Sequence, residues 1–253
     1  MQNKNWKSYE MTITGLTQQV RYNEDTVKNL FLPFLRELSA LQGTVERRIV
    51  VFLAAPPATG KSTLAQFLEH LSKEDPMLTN IRAVGMDGFH YPNDYLESHY
   101  TLIDGESVPM KSIKGAPETF DVDGLQAKLR AVRRAETKWP VYDRRIHDVR
   151  PNVETVDADI ILVEGNWLLL KDSRWTDIRI LADYSVFIEA SPELLKARLI
   201  ERKIQGGLSP EEAAAFYEAS DRRNVERTLK DSGAADEVWI MQEDGDFVKN
   251  FDE

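Results

Sequence analysis

The stretch Arg48-Ile-Val-Val-Phe-Leu-Ala-Ala-Pro-Pro-Ala-Thr-Gly-Lys-Ser-Thr63 decides the fold of this chain. Its first half is a continuous apolar and β-branched run, typical of a strand that is buried on both faces of a parallel sheet. Its second half, residues 55–63, has the spacing GxxxxGK[ST] of a Walker A motif, with Ala55 in place of the first glycine. An amphipathic helix is predicted next, because apolar residues recur at helical spacing at Leu64, Phe67, Leu68 and Leu71.

The Walker A motif predicts binding of nucleotide phosphates. Its backbone N–H groups and the following helix N-terminus attract anionic oxygens, and the Lys61 ammonium suits the β- and γ-phosphates. The Ser62 hydroxyl is then a ligand of Mg²⁺. A helix that begins with Gly-Lys-Ser by chance is the alternative, but strand, loop and helix occur in the required order. We therefore predict ATP and Mg²⁺ as ligands, with nucleotide contacts from Ala55, Ala58, Thr59, Gly60, Lys61, Ser62 and Thr63.

The rest of the chain alternates between strand and helix patterns. Further strands are predicted at 81–86, 160–163, 184–188 and 238–241, and helices at 27–41, 122–132, 192–205 and 210–230. Such alternation predicts an α/β fold with a mainly parallel sheet flanked by helices. Residues 91–120 show no periodic pattern and are expected to be irregular. We predict a single domain over 1–253, with a helical N-terminal extension at 1–47.

Composition excludes several classes of function. The 253 residues carry a formal charge of −10, which disfavours nucleic acid or an anionic membrane as a partner. Much of this charge lies in residues 231–253, with eight acidic residues and one lysine. The absence of cysteine excludes thiolate metal sites and cysteine nucleophiles, and fits a reducing compartment. No apolar stretch approaches the roughly 20 residues that span a bilayer. We expect a cytoplasmic protein, and the sequence leaves a homodimer open.

Two acidic residues follow predicted strands. Asp87 comes after 83–86 and Glu164 after 160–163. Ligands of open α/β sheets bind beyond the carboxyl ends of the strands, where a carboxylate can take a hydroxyl proton or hold Mg²⁺. Either acid could instead cap a helix or a turn. We predict a metal site formed by Ser62, Asp87 and Glu164.

Four further motifs follow the Walker A stretch: Met86-Asp-Gly-Phe-His-Tyr-Pro-Asn93, Lys114-Gly-Ala-Pro-Glu-Thr-Phe-Asp121, Val141-Tyr-Asp-Arg-Arg-Ile-His-Asp148 and Ile160-Ile-Leu-Val-Glu-Gly-Asn166. Together these motifs resemble the phosphoribulokinase/uridine kinase family of P-loop small-molecule kinases. They are most similar to type I pantothenate kinase and to sugar-kinase-like relatives, over about Arg48 to Arg227. The resemblance implies a P-loop NTPase fold with a helical lid, in which Asp87 is the catalytic base and Glu164 the Walker-B-like acid. Two positions depart from the pantothenate kinase pattern, His90 and the run Tyr142-Asp143-Arg144.

A lid is predicted over residues 196–230, mainly on the strength of the resemblance. Arg198 and Arg202 are four residues apart on one helix, and Gly206-Gly207 could serve as a hinge. The two arginines would neutralise charge on the transferring phosphoryl group, so we group them with Lys61, Asp87 and Glu164 as catalytic candidates. The alternative is a helical hairpin with exposed basic side chains.

The predicted acceptor site lies in the insertion 88–121 and the loop after the short 140–142 strand. Arg144 and Arg145 in that loop either form surface salt bridges or bind a carboxylate or phosphate of the acceptor. His90 and His147 lack metal-ligand spacing, so we expect hydrogen bonding from them and no zinc. The predicted acceptor contacts are His90, Lys114, Tyr142, Arg144, Arg145 and Asn166.

The sequence thus predicts an ATP-dependent phosphotransferase acting on a hydroxyl of a small metabolite such as a sugar or a pantothenate-like acceptor. A nucleoside or nucleotide kinase is an alternative. Another is a P-loop hydrolase that acts as a switch with a protein partner. The motif-bearing loops at 86–93 and 114–121 argue against a switch, as does the absence of a guanine-reading NKxD tetrapeptide.

Overall fold

The N-terminal segment begins with a β-hairpin and continues into a helix. The computed structural model describes residues 4–13, 16–103 and 105–250. Strands β1 and β2 pair antiparallel, and the helical stretch after them contains one π-helical segment. The bounds are β1 Trp6–Ile13, β2 Leu16–Asn23, α1 Glu24–Thr26, the π segment Val27–Phe31 and α2 Leu32–Gln42.

The remaining strands and helices follow along the chain, with the predicted strands and helices among them. The strands are β3 Ile49–Ala54, β4 Ile81–Gly85, β5 Tyr100–Ile103, β6 Glu106–Pro109, β7 Thr137–Asp143, β8 Asp148–Val156, β9 Ile160–Gly165, β10 Tyr184–Glu189, β11 Glu237–Met241 and β12 Phe247–Lys249. The α-helices are α3 Lys61–Glu74, α4 Asn93–Ser98, α5 Val122–Val132, α6 Ser173–Arg179, α7 Pro192–Gln205, α8 Pro210–Phe216 and α9 Arg222–Asp231. Short 3₁₀ helices lie at Met86–Phe89, Met110–Ile113 and Pro117–Thr119, and a π segment at Tyr217–Asp221. No helix in the described ranges is long and apolar enough to cross a membrane.

A six-stranded sheet in the order β12-β11-β10-β3-β9-β4 forms the centre of the molecule. All neighbours are parallel except β12, which runs antiparallel to β11. The prediction of an α/β fold with a mainly parallel sheet is therefore confirmed. Because β9 lies between β3 and β4, the carboxyl ends of these three strands are adjacent. In the register, Glu164 lies beside Leu53 on one side and Gly85 on the other.

Strand β3 is buried along its whole length, as its apolar sequence predicts. Successive side chains point to opposite faces of a strand, so Ile49, Val51 and Leu53 enter one apolar cluster and Val50, Phe52 and Ala54 enter the other. The first cluster includes apolar residues of α2 and α3, and the second includes those of α5, α6 and β7. Helices thus cover both faces of the sheet and leave the loops at its carboxyl edge available to ligands.

The predicted helical N-terminal extension is wrong over β1 and β2. The hairpin packs on α3, where Phe67 stacks on Tyr22 at a ring-centroid distance of 4.0 Å and meets Tyr9 edge-on at 4.7 Å. Alternation of apolar residues at Tyr9 and Met11 and again at Val20 and Tyr22 was a strand signal. The helical pattern begins only at Val27 and says nothing about the residues before it.

The segment 91–120 is more regular than expected. It contains α4, the antiparallel pair β5–β6 and two 3₁₀ turns. The 140–142 strand is also longer than predicted, since β7 forms an antiparallel hairpin with β8. Short two-stranded hairpins carry weak sequence signals, because their pairing partners and not their periodicity hold them in place.

Gly88 allows the Asp87 segment to pack directly under β7. A Cβ at this position would lie 2.9 Å from the Val141 nitrogen and closer still to the Pro140 carbonyl group. Both neighbours are backbone, so neither can rotate away as a side chain would. The glycine of the Asp-Gly-Phe motif is therefore required by close backbone approach.

We predict that Gly88→Ala lowers the free energy of unfolding by about 1–3 kcal/mol, the usual cost of overpacking. Chemical denaturation of the purified variant measures this. Gly43→Ala is the matched control, because its Cβ would meet only ordinary contacts at 3.5 Å and its φ is −65°. The control should be neutral or up to about 1 kcal/mol more stable. Equal stability of the two variants would contradict the packing argument.

Candidate active site

The phosphate loop, residues 55–63, connects β3 to α3. Gly60 at the N-cap of α3 has a φ of 82°, in the left-handed region that glycine adopts without strain. The first helical hydrogen bond runs from the Leu64 N–H to the Gly60 carbonyl at 2.9 Å. The N–H groups of Lys61, Ser62 and Thr63 precede it and have no intrahelical acceptor. They form the anion-attracting end of α3 that the motif predicts.

Two of the predicted nucleotide contacts also shape the loop. Ala55 is fully buried, and its N–H donates to the Gly165 carbonyl at 3.4 Å, which holds the loop against the sheet. The Thr59 hydroxyl donates to the Pro56 carbonyl at 3.1 Å, which stabilises the loop internally. Their contacts with a nucleotide stay predictions.

Glu164 faces the start of α3 from the end of β9. The Ser62 hydroxyl donates to Glu164 Oε1 at 2.8 Å, and Lys61 Nζ lies 4.0 Å from Oε2. Glu164 is only 9% exposed. Burial raises the pKa of Glu164, opposed by the nearby positive charge of Lys61. A carboxylate and a hydroxyl are thus placed together beside the phosphate loop.

The Ser62 hydroxyl and the Glu164 carboxylate are suitable ligands for Mg²⁺. No group of three or more His, Asp or Glu side chains in the described residues could hold a metal by itself. Mg²⁺ usually takes only one or two protein ligands and completes its shell with waters and substrate phosphates. Ser62 and Glu164 meet that requirement, and Asp87 is close enough for its charge to raise the pKa of Glu164.

Asp87 lies in the 3₁₀ turn Met86–Phe89 directly after β4. Within the described part of the chain, no residue donates a hydrogen bond to its partly exposed carboxylate. Its charge helps to raise the pKa of Tyr142 as well as that of Glu164. The carboxylate is therefore available to a ligand at the carboxyl edge of the sheet.

His90 packs next to Asp87 and is buried. Its Nδ1 lies 2.8 Å from the Asp87 carbonyl oxygen, which can only accept, so Nδ1 carries the proton. Burial lowers the pKa of His90 despite the opposing charge of Asp87. The ring is 3.8 Å from the Phe120 ring and 5.4 Å from that of Tyr142, measured between centroids. His90 is thus a neutral ring whose Nε2 is a hydrogen-bond acceptor.

Lys114 joins the insertion to the tip of the β7–β8 hairpin, residues 144–147. Its ammonium donates to Asn93 Oδ1 at 2.7 Å and to the His147 carbonyl at 2.8 Å, and lies 4.9 Å from the Tyr142 ring centroid. His147 contributes its backbone rather than its ring to this contact. Lys114 therefore positions the hairpin tip, a role that its assignment as an acceptor contact did not anticipate.

Arg144 and Arg145 at the hairpin tip differ in their surroundings. Arg145 folds back on Asp143, with its Nη2 atom 3.1 Å from Oδ2 of Asp143. This contact lowers the pKa of Asp143 to about 2. Arg144 makes no hydrogen bond or ion pair in the described ranges, and its charge acts on Glu164, Tyr142 and Arg202. Arg145 thus forms the surface ion pair, whereas the exposed Arg144 has no partner among the described residues.

The predicted lid carries its two arginines to different places. Arg198 Nε donates to the Ala58 carbonyl at 2.7 Å, so α7 already contacts the phosphate loop. Ala58 has a φ of 70°, a conformation that few non-glycine residues adopt. Arg202 is exposed on α7, and partial desolvation of its guanidinium lowers its pKa, opposed by the negative charges of Asp221 and Asp87.

Three features in or beside the site could not be predicted fully from the sequence. Asn166 Oδ1 and Asp221 Oδ2 are buried without a hydrogen-bond partner among the described residues. Trp167 belongs to the core, where its Nε1 donates to the Gly115 carbonyl at 3.0 Å. A cavity of about 230 Å³ opens beside Gly60 and Thr63, between them and residues of both chain termini. No sequence motif marks it, because its walls come from segments more than 200 residues apart.

The phosphate loop joins a buried strand to a helix, and acidic side chains lie at the ends of β4 and β9. This is the arrangement of P-loop kinases. Residues 50–224 match the model of the Phosphoribulokinase / Uridine kinase family. Because this match spans more than half of the 253 residues, the chain belongs to that family and is a kinase of it.

Individual relatives agree with this assignment. The "Uncharacterized protein YggC" of Escherichia coli (strain K12) is 45% identical over 238 residues, 93% of this chain and 96% of that protein. The pantothenate kinase of Enterococcus faecalis (strain ATCC 700802 / V583) is 31% identical over 60% of this chain and 48% of its own length. The crystal structure of the "putative fructose transport system kinase" from Silicibacter sp. TM1040 superposes with a TM-score of 0.74 at 28% identity, covering 83% of this chain and 98% of that chain.

Lys61→Ala should weaken ATP binding between about tenfold and 150-fold, since a charge-assisted hydrogen bond contributes about 1.5–3 kcal/mol. Turnover should fall with it. Isothermal titration with ATP and Mg²⁺ measures the affinity. Lys73→Ala is the control, because the half-exposed Lys73 lies near the other end of the same helix and pairs with Glu69. ATP affinity unchanged in a folded Lys61→Ala protein would refute the assignment of the loop.

Proposed function

We propose that this kinase transfers the γ-phosphoryl group of ATP to a hydroxyl of a small metabolite. The observation that carries the proposal is the Asp87 carboxylate, which no described residue hydrogen-bonds. It lies at the same sheet edge as Glu164 and the phosphate loop. An acceptor hydroxyl placed there is close both to a base and to the bound phosphates.

The phosphate loop and the cavity beside it favour one orientation of the nucleotide. Its phosphates contact the N–H groups at the start of α3 and the Lys61 ammonium, and the Arg198 guanidinium lies beside them. The cavity next to Gly60 and Thr63 receives the nucleoside end. Ser62 and Glu164 would hold Mg²⁺, which would supply positive charge to the nucleotide phosphates.

The chemical step needs few protein groups. The acceptor oxygen forms a bond to the γ-phosphorus, the bond from that phosphorus to the β-phosphate oxygen breaks, and the hydroxyl proton passes to Asp87. Arg202 offsets negative charge near the transferring group. Closure of the lid, residues 196–230, would exclude water that competes with the acceptor.

Two relatives indicate what the acceptor could be. The Enterococcus faecalis protein is a pantothenate kinase by name, and the Silicibacter protein is named a kinase of a fructose transport system. A sugar or a pantothenate-like molecule is therefore our first choice for a screen. ADP release that requires such an added molecule supports a metabolite kinase, whereas release at full rate without one supports a nucleotide switch.

Asp87→Asn should lower kcat by about 10²-fold or more, because the amide keeps the shape of the side chain and cannot accept the proton. ATP affinity should change much less unless Asp87 also holds the metal. Steady-state kinetics with the acceptor found in the screen measures both quantities, and a Mg²⁺ titration of the variant separates the two roles.

Asp123→Asn is the matched control, because Asp123 is an exposed acid in the first turn of α5. Its kcat should equal that of the unmodified protein. If the Asp87 variant keeps kcat within a few-fold, Asp87 is structural and Glu164 becomes the candidate base.

A further inference from the structure

Asn93 connects the insertion 88–121 to the β7–β8 hairpin. Its Nδ2 donates to the His147 carbonyl at 3.0 Å, and its backbone N–H donates to Asp148 Oδ1 at 3.1 Å. Both acceptors lie at the outer end of the hairpin, since Asp148 is the first residue of β8. His147 has a φ of 51°, which few residues other than glycine adopt. Asn93 thus holds the hairpin tip at its turn, from a separate segment of the chain.

The other polar atom of the Asn93 side chain is also engaged. Its Oδ1 accepts from Lys111 Nζ and from Lys114 Nζ, each at 2.7 Å. Lys114 donates to the His147 carbonyl as well, at 2.8 Å. The amide therefore acts as an acceptor toward the two lysines and as a donor toward the hairpin. Alanine could do neither, and an ionised aspartate could only accept.

The hairpin held in this way also forms a wall beside Asp87. The centroid of the Tyr142 ring in β7 lies 4.9 Å from the Lys114 ammonium and 5.4 Å from the centroid of the His90 ring. His90 Nδ1 in turn lies 2.8 Å from the Asp87 carbonyl oxygen. Direct contacts thus connect Asn93 with the base candidate. We call Tyr142 and His90 the acceptor wall.

The part of the hairpin nearer the sheet is fixed independently of Asn93. Trp139 in β7 is buried, and its Nε1 donates to the Gly85 carbonyl at 2.9 Å. The pairing of β7 with β8 then shifts register between Trp139 and Val141. Tyr142 lies beyond this shift, toward the tip. Because a two-stranded hairpin is only marginally stable alone, the position of Tyr142 depends on how the tip is held.

We propose that Asn93 is a positioning residue for the acceptor. By fastening the hairpin tip to the insertion, it fixes the acceptor wall beside Asp87. The inference rests on the proposed function, because it needs an acceptor bound on this side of Asp87. The hydrogen-bond partners of Asn93 given above include no residue of the phosphate loop. Loss of the side chain should therefore weaken acceptor binding and leave ATP binding unchanged.

Limited trypsin digestion tests the fastening without any acceptor. Arg144 and Arg145 are exposed at the tip, so cleavage after them, located by mass spectrometry, reports how often the tip opens. Asn93→Ala removes three hydrogen bonds, two of them from ammonium groups, and cleavage should become about 100-fold faster or more. Asn80→Ala is the matched control, because Asn80 is exposed between α3 and β4, and its cleavage should equal that of the unmodified protein. Unchanged cleavage in Asn93→Ala overturns the inference.

Steady-state kinetics tests the consequence for the acceptor. ADP release is measured with ATP, Mg²⁺ and either fructose or pantothenate. Asn93→Ala should raise the KM of the molecule that is turned over by about tenfold, because affinity falls with the fraction of protein whose wall is in place. The kcat value, and the ATP affinity from isothermal titration, should change less than about threefold. Asn93→Asp keeps an oxygen for both lysines and lacks the donor to His147, so its KM and cleavage rate should be intermediate.

The remaining outcomes separate this inference from the proposed function. Faster cleavage with an unchanged acceptor KM overturns the positioning role, because the tip then opens without affecting the acceptor. Equal losses of acceptor and ATP affinity also overturn it, since they indicate a general loss of structure. Absence of ADP release with both molecules counts against the proposed function and the positioning role together, and the trypsin result still decides whether Asn93 fastens the tip. If thermal unfolding shows that Asn93→Ala does not fold, Asn93→Asp serves the same comparison.

Discussion

Glu164 can touch the start of α3 only because β9 lies between the strand of the phosphate loop and the strand that leads to Asp87. The hydrogen bond from Ser62 to Glu164, at 2.8 Å, is the direct sign of this arrangement. In the register, Glu164 lies level with Gly85, two residues before Asp87. The sheet order therefore sets the distances among loop, metal-site acid and base candidate. Moving β9 elsewhere in the sheet would separate all three.

Charge in the site is balanced locally, although the chain as a whole is acidic. The basic side chains come from three elements, Lys61 from α3, Arg198 and Arg202 from α7 and Arg144 from the hairpin tip, and Asp87 and Glu164 lie at one edge of the sheet. The excess of acidic residues lies elsewhere, largely after Asp231, where Lys4 and the polar side chains of Asn23 and Thr26 engage Asp246. A net charge of −10 thus coexists with a site suited to anionic ligands.

Segments outside the central sheet position the side chains on the acceptor side of the site. Gly88 lets the Asp87 turn pack against the backbone of Pro140, and Lys114 ties the hairpin tip to Asn93. Arg227 pairs with Glu118 at 2.6 Å, which joins the end of the lid to the insertion. Insertion, hairpin and lid are therefore connected around the acceptor side of the site. Two of the departures from the pantothenate kinase pattern, His90 and Tyr142, lie together there, with ring centroids 5.4 Å apart.

The sequence by itself determined the parts whose signals are local. Three features could be predicted from neighbouring residues alone: the β3 strand, the Gly-Lys-Ser start of α3 and the acids after β4 and β9. Burial, backbone conformation and the ends of strands follow short patterns in the sequence. Tertiary structure decided what depends on contacts between distant segments. It distinguished Arg145, which pairs with Asp143, from the adjacent Arg144, and the sequence alone did not say which of the two would be paired. Three other features also depend on partners far away in the sequence. Lys114 binds the hairpin tip, the N-terminal segment forms a hairpin that packs on Phe67, and residues near both termini line one cavity.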